Sequence, residues 1–293
     1  ARWPQAIADE LKAEGKSHAA VLRRDGVVRI DKVLSHGVAD ALRAWAFDHR
    51  VEARAEVDEG RIGQLYRFAD VLLKHNRCDL TMPLGQPVVM SALTEAIVDS
   101  SVGATIQSLL GDTAPLYELS CLISDPGSQR QVVHPDTPYG ARSGIAEDEP
   151  VLYTCFIALQ DVTEDMGPTT WIPGTHTKKA HAQFGRSGTP GDDKDSLLSS
   201  TPSVLGLLPK GCCAIFDSRC LHNGGANVSA EGRSRALFYF TFKNPKVGNA
   251  GNPGSIRPEL IGKTTLKELR TELGVLRDKG VSERLDELAA TLH

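Results

Sequence analysis

From about residue 115 the chain is cut into short apolar or alternating runs: LYELSCLIS, QVVHPD, VLYTCFIALQDV, TTWIPG, CCAIF and RALFYFTF. Turns rich in Gly, Pro, Asn and Asp separate them. A short strand cannot satisfy its own backbone, so several at this spacing have to pair, and an antiparallel sandwich or barrel is the expected result. The 41% hydrophobic content is enough to give that sheet a packed core.

Helical signals flank the strand-rich stretch. Residues 4–14 have helical character, and LRRDGVVRIDKVLS then brings a turn at Asp25-Gly26 and a short β-branched run. Ser35 is placed as an N-cap, with Val38, Leu42 and Trp45 recurring behind it, which predicts a helix to about residue 56. A second helix is expected over 90–110, ending at Gly111. Beyond a loop rich in Gly, Asn and Pro near 244–257, Leu266, Leu269, Leu273 and Leu276 form a stripe, and Thr265 with Glu268 has capping-box spacing. One structural domain is therefore expected: a mostly helical part at 1–114, a sheet core at 115–245 and a helical extension at 246–293. Within the core, the polar, glycine-rich 177–206 reads as a lid-like insertion.

Several classes of function are disfavoured. A net charge of −4 argues against nucleic acid as the main partner. The apolar runs are too short to span a membrane. Six cysteines occur with no CxxC pair, several of them inside apolar runs, so free buried thiols in a reducing compartment (cytoplasm or organelle) are expected. The chain begins at Ala1, so an upstream targeting peptide would not be visible.

Chemistry concentrates in three stretches. In QVVHPD, His134 and Asp136 stand two apart, so a strand would point both to one face. His222 follows the run GCCAIFDSRC and precedes the turn HNGGAN, with little bulk after it. The three together make a 2-His-1-carboxylate face with open positions, the arrangement of non-haem Fe(II) oxygenases, although zinc accepts the same donors. Arg233 and Arg235 enter the last strong strand with the same parity, and a guanidinium inside a barrel requires an anion. A dicarboxylic acid chelating the metal at one end supplies it.

HPDTP, MGPTTWIPGTH and FDSRCLHNGGANVSAEGR, with the opening LRRDGVVRIDKVLS, resemble the phytanoyl-CoA dioxygenase family of Fe(II)/2-oxoglutarate oxygenases, in the family's order, across about residues 20–243. The resemblance implies a mainly β fold with flanking helices and a double-stranded β-helix (jelly-roll, cupin-like) core. It implies Fe(II) held by His134, Asp136 and His222, with 2-oxoglutarate as cosubstrate and O₂ as oxidant. It assigns the distal carboxylate of 2-oxoglutarate to Arg233 in preference to Arg235, and implies cosubstrate contacts at Gln131 and Thr169. Thr169, Thr170 and Trp171 depart from the more usual apolar wording after Gly-Pro. Asp136 is a true carboxylate where related halogenases have a small residue, which disfavours halogenation. The implied activity is hydroxylation of a C–H bond of a small organic or acyl-CoA-type molecule, with release of succinate and CO₂.

Simpler readings stand beside these. Gln131 can satisfy backbone groups at a strand end. His176, Lys178, Lys179 and His181 can be surface charge or a seat for an anionic substrate. Asp217 is read as a turn or supporting group, Ser229 lacks a catalytic base, and His18, His36, His49, His75 and His293 have no motif around them. Two rival functions use the same triad: a cupin-like metal hydrolase or isomerase without 2-oxoglutarate, and a non-enzymatic metal-binding homologue.

Overall fold

The computed structural model describes residues 3–69, 75–138, 149–186, 188–248 and 255–291. His293 and positions 249–254 of the glycine-rich loop lie outside the described residues. Helix α1 (Trp3–Asp25) runs well past the expected 4–14, because nothing before Gly26 breaks it. Gly26 adopts φ +77 and its N–H caps Leu22 O at 2.9 Å. Gly15 does not stop the helix; its missing side chain lets Ala104 approach within 2.7 Å of where a Cβ would stand.

Strand β1 (Val27–Ile30) and helix α2 (His36–Asp58) follow, with Ser35 capping α2 by accepting from Val38 N–H at 3.3 Å. Strand β2 (Arg77–Thr81) has no counterpart among the expected elements. The helix expected over 90–110 is interrupted: α3 (Pro87–Leu93) passes into a π-helical turn at Thr94–Val98, and α4 (Ser101–Leu110) restarts behind the N-cap Ser100. Gly111, at φ +81, ends it as expected.

Next come β3 (Leu116–Ser124), β4 (Leu152–Ala158), β5 (Thr169–Trp171), α5 (Lys178–Phe184), α6 (Asp192–Ser200), β6 (Val204–Leu205), β7 (Cys213–Asp217), β8 (His222–Gly224), β9 (Arg235–Lys243) and α7 (Leu266–Thr291). The polar stretch 177–206 is thus largely a pair of short helices. QVVHPD is not a strand. Its one bridge among the described residues joins His134 to His222, and the next amide on that side, Asp136 N–H, goes to Ser218 O instead.

Two antiparallel sheets face each other, ordered β1-β7-β4-β9-β3-β2 and β6-β5-β8. They form the expected jelly-roll core flanked by helices, without closing into a barrel. Side chains of the larger sheet alternate between its faces. Ile123, Cys155, Ile215, Phe238 and Phe240 point back against the helices, where Leu42, Val89, Leu93, Ile106, Leu266 and Leu269 complete the main core. Leu122, Phe156, Ala214, Phe216, Leu237 and Tyr239 point inward and meet Trp171 of the smaller sheet. All six cysteines are free and buried. Among the described residues, no helix is long and apolar enough to cross a membrane.

Thr265 and Glu268 make the reciprocal capping box at the start of α7, with Thr265 N–H donating to Glu268 at 2.8 Å. The leucine stripe is only partly core: Leu266, Leu269 and Leu273 are fully buried, whereas Leu276 is 44% exposed. Leu269→Ala should therefore cost about 2–5 kcal/mol, and Leu276→Ala no more than about 0.5 kcal/mol, as read from urea unfolding midpoints.

Candidate metal centre

His134 and His222 are joined by two reciprocal backbone hydrogen bonds, His134 N–H to His222 O and His222 N–H to His134 O, both 2.9 Å. Opposed residues of a narrow antiparallel pair project their side chains together, and the two imidazole centroids are 4.6 Å apart. Past Pro135 the chain turns, and Asp136 N–H and Thr137 N–H both donate to Ser218 O, at 2.8 and 3.0 Å. This returns the Asp136 carboxylate to the histidines. Its Oδ1 lies 3.7 Å from His134 Nε2 and 3.6 Å from His222 Nε2. The three ligand atoms all lie within 4.8 Å of one another.

The donor set suits a metal ion. His134 Nδ1 contacts Val132 O at 2.8 Å and His222 Nδ1 contacts Cys220 O at 2.9 Å. Each ring therefore keeps its proton on Nδ1 and presents the Nε2 lone pair to the centre. Burial lowers the His222 pKa, with the neighbouring His134 adding to it against the pull of Asp136, which favours the neutral ligand form. Each measured Nε2–Oδ1 gap is shorter than two metal–ligand bonds of about 2.1 Å. Phe216 walls one side, 5.0 Å from the His222 ring, while Asp136 stays exposed.

The loop between β7 and β8 holds this geometry. Asp217, fully buried, accepts from the Arg219 backbone and guanidinium at 2.7–2.9 Å and so staples the loop whose Ser218 and Cys220 carbonyls orient Asp136 and His222. The PGTH turn and helix α5 brace the same loop: Thr175 Oγ1 accepts from Leu221 N–H at 2.9 Å, and His181 Nε2 of α5 meets Arg219 O at 2.7 Å. His176 is buried, with its Nε2 3.2 Å from Arg23 O. Of the four-residue basic cluster, only Lys178 and Lys179 are exposed.

The two arginines have parted. Arg233 is 42% exposed and pairs with Asp165 at 3.1 Å and Glu231 at 3.2 Å. Strand parity does not reach it, because the chain still turns at Gly232 (φ +73) and β9 begins only at Arg235. Arg235 is 1% exposed on the inner face. Its Nη1 donates to Gly167 O and its Nη2 to Ser124 Oγ at 3.2 Å, while its Nε has no partner. Burial, with help from the charge of Arg77, lowers its pKa to about 9, so it stays cationic at neutral pH.

Gln131 brackets Gly224: its N–H donates to Gly224 O and its Oε1 accepts from Gly224 N–H, both at 2.8 Å. Thr169, buried on β5, is the register partner of Gly224 from the other side. Two inward residues were missed by sequence reasoning. Arg77 of β2 is buried and pairs in register with Ser124. Glu118 of β3 accepts from Thr241, whose Oγ1 also lies 3.1 Å from Thr154 Oγ1. The alternation Glu118-Ser120-Leu122-Ser124 was readable and shares one face, while Leu116, beyond a register shift, belongs to the main core.

A family model described as phytanoyl-CoA dioxygenase (PhyH) matches residues 22–235. The dioxygenase easH of Epichloe festucae var. lolii is 31% identical over 114 residues, 38% of this chain and 54% of its own length. The multifunctional dioxygenase prhA of Penicillium brasilianum is 28% identical over 115 residues, 38% of this chain and 36% of its own. The matched segment thus spans about half or less of either relative. In fold, the chain is similar to the non-heme alpha ketoglutarate dependent carbocyclase SnoK from nogalamycin biosynthesis, with a TM-score of 0.56, 19% identity, and 86% and 92% of the two chains covered.

Burial, with the charges of Asp136 and Asp79 adding to it against the Thr241 bond, pushes the Glu118 pKa up to about 8. The folded chain holds this proton where the unfolded chain releases it near 4.5. Stability contributed by the protonated carboxyl is complete below about 4.5 and drains away as pH rises to about 8. Urea midpoints of metal-free wild type and Glu118→Gln, compared across that range, should show the wild type losing ground to the variant as pH rises.

Proposed function

The chain belongs to the phytanoyl-CoA dioxygenase family of Fe(II)- and 2-oxoglutarate-dependent oxygenases, and from that premise we propose that it hydroxylates a C–H bond of a small organic or acyl-CoA-type molecule. One observation carries the reading: two imidazole Nε2 atoms and one carboxylate converge on a point that is walled on one side and open on the other. His134, Asp136 and His222 would hold the iron, whose open positions suit a chelating cosubstrate and O₂. Iron and 2-oxoglutarate, when bound, supply O₂ activation and C–H oxidation, with release of succinate and CO₂.

The protein's own part is placement and exclusion. The Asp217–Arg219 staple and the two Nδ1–carbonyl contacts hold the ligands in register, so the site need not reorganise when it loads. The distal carboxylate of 2-oxoglutarate is assigned to Arg235 in place of Arg233. Arg233 already has two acidic partners at the surface, whereas Arg235 is buried with no counter-charge and an idle Nε among the described residues. Gln131 and Thr169 flank Gly224, two residues along β8 from His222, and Gln131 can offer its amide nitrogen there. The helices α5 and α6 form the lid-like insertion; α5 touches the metal loop through His181, which gives the insertion a route to substrate choice.

A triad hydrolase or isomerase leaves the buried Arg235 without a purpose. Succinate formation in air, with iron and ascorbate, separates the readings. Asp136→Ala should abolish succinate while leaving far-UV circular dichroism unchanged, and turnover by that variant would sink the ligand assignment. Arg235→Met should raise the 2-oxoglutarate Kd about thirtyfold or more, the ~2 kcal/mol scale of a lost buried charge contact. Arg233→Ala should leave it within about twofold, as expected of an exposed pair.

A further inference from the structure

We propose that Glu118 is a substrate-recognition residue whose carboxyl offers one O–H donor to a neutral carbonyl oxygen of the substrate; this rests on the oxygenase reading of the site. Glu118 stands on β3 opposite Thr241 of β9. Thr241 in turn opposes Thr154 of β4, and Thr154 opposes Phe216 of β7. Phe216 is the ring that walls His222 at 5.0 Å. The four side chains form one row across the inner face, and that row starts beside the metal ligands. Glu118 is only half-buried although it lies on this face, so part of its side chain meets open space.

Hydrogen-bond direction along the row fixes what Glu118 offers. Thr241 Oγ1 donates to Glu118 Oε2. With that proton used, Thr241 is left to accept from Thr154 Oγ1 at 3.1 Å. The donors therefore run from Thr154 to Thr241 to Glu118 and end on Oε2. Among the described residues Glu118 makes no other hydrogen bond, and the charged groups that act on it, Asp136 and Asp79, are both acidic. Ionised, it would be a desolvated anion facing two like charges with one hydroxyl in support. Protonated, it keeps the Thr241 bond at Oε2 and carries its proton on Oε1. Burial pushes its pKa up to about 8, in agreement with that form.

The surroundings suit a neutral ligand. Phe156 lies edge to face with Phe216 at 5.1 Å and with Tyr239 at 5.3 Å, so an aromatic wall runs beside the polar row. Such a surface holds a molecule by its apolar body, and one convergent donor orients it. A carboxylate would meet acidic neighbours there, and an ammonium would meet a donor in place of an acceptor. A carbonyl oxygen meets neither obstacle. Held at Glu118, it limits which C–H bond can face His134, Asp136 and His222.

The test uses full-length protein with 2-oxoglutarate and Mn(II), which does not support turnover, against a Zn(II)-loaded reference. Two probes are followed by proton NMR at neutral pH: cyclohexanone, a neutral carbonyl, and cyclohexylammonium, a cation on the same ring. Mn(II)-dependent relaxation of the ring protons reports binding near the metal ligands. Wild type should relax cyclohexanone at least about fivefold more than cyclohexylammonium, and Glu118→Leu should weaken cyclohexanone binding about tenfold, the scale of one lost hydrogen bond. Glu118→Gln, which keeps a donor, should stay within about twofold of wild type, and 2-oxoglutarate Kd should hold within about twofold in both variants if the centre is intact. Should Glu118→Leu fail that control, Glu118→Gln and the wild-type preference decide the matter. Cyclohexanone binding to Glu118→Leu within about twofold of wild type overturns the proposal. So does a wild type that prefers cyclohexylammonium or relaxes neither probe. A wild type that binds no 2-oxoglutarate overturns the oxygenase reading beneath it.

Discussion

The reciprocal backbone pair between His134 and His222 is the contact on which the centre depends. It is a single bridge at the rim of the smaller sheet, with no ladder continuing on the His134 side. Past Pro135 the pairing stops: Asp136 N–H goes to Ser218 O, and the turn carries Asp136 back toward the two rings instead of away along a strand. A regular strand places residues i and i+2 roughly 6.6 Å apart along its axis; here the Asp136 carboxylate oxygen is 3.7 Å from His134 Nε2. The broken strand is thus what makes a compact donor set possible. The cost of ending a ladder early is met by the loop after β7, whose Ser218 carbonyl takes two amide protons from the turn.

The inner face of the larger sheet is electrically graded by strand alternation. Arg77, Ser124 and Arg235 occupy one end of it, joined in register across β2, β3 and β9. Leu122, Leu237, Phe156 and Tyr239 form a mainly apolar middle, in which the buried Asp79 carboxylate accepts from Tyr239 and Ser255 at 2.7 and 2.8 Å. Glu118 and Thr241 lie beyond, with the Glu118 carboxyl biased toward its neutral form. A low-dielectric middle screens the cationic end poorly from whatever binds beside it, so an anion seated there gains more than it would in water.

Much of this was legible in the sequence, and the reasons for the remainder are physical. The three converging donors were readable because a proline between two donor residues and a glycine turn after His222 are local signals. The main strands were readable through their apolar content. β2 was not, because RCDLT buries a polar row of Arg77, Asp79 and Thr81 on one side, and its only apolar residues, Cys78 and Leu80, point to the other. The helical pair in 177–206 was hidden because α6 is amphipathic only weakly, with Leu197 its sole buried apolar residue. The interruption between α3 and α4 sets Gly103 against the preceding turn, where a Cβ would lie 2.1 Å from Ile97 O, a close approach that the helical periodicity of 90–110 does not announce.

Arg233 and Arg235 show where parity arguments fail. Alternation assigns both to one face only if the strand has already begun, and a strand begins where its partner's backbone is available. Arg235 opposes Ser124, the last residue of β3, so Arg233 has no partner strand to register against. It is instead held in a loop that Asn227 ties down, donating to Ser124 O and Arg233 O at 2.9 Å. The asparagine of HNGGAN therefore has a structural task with a functional result. By anchoring the loop to the end of β3 it fixes where β9 starts, and so which of two arginines goes into the interior and which goes to solvent.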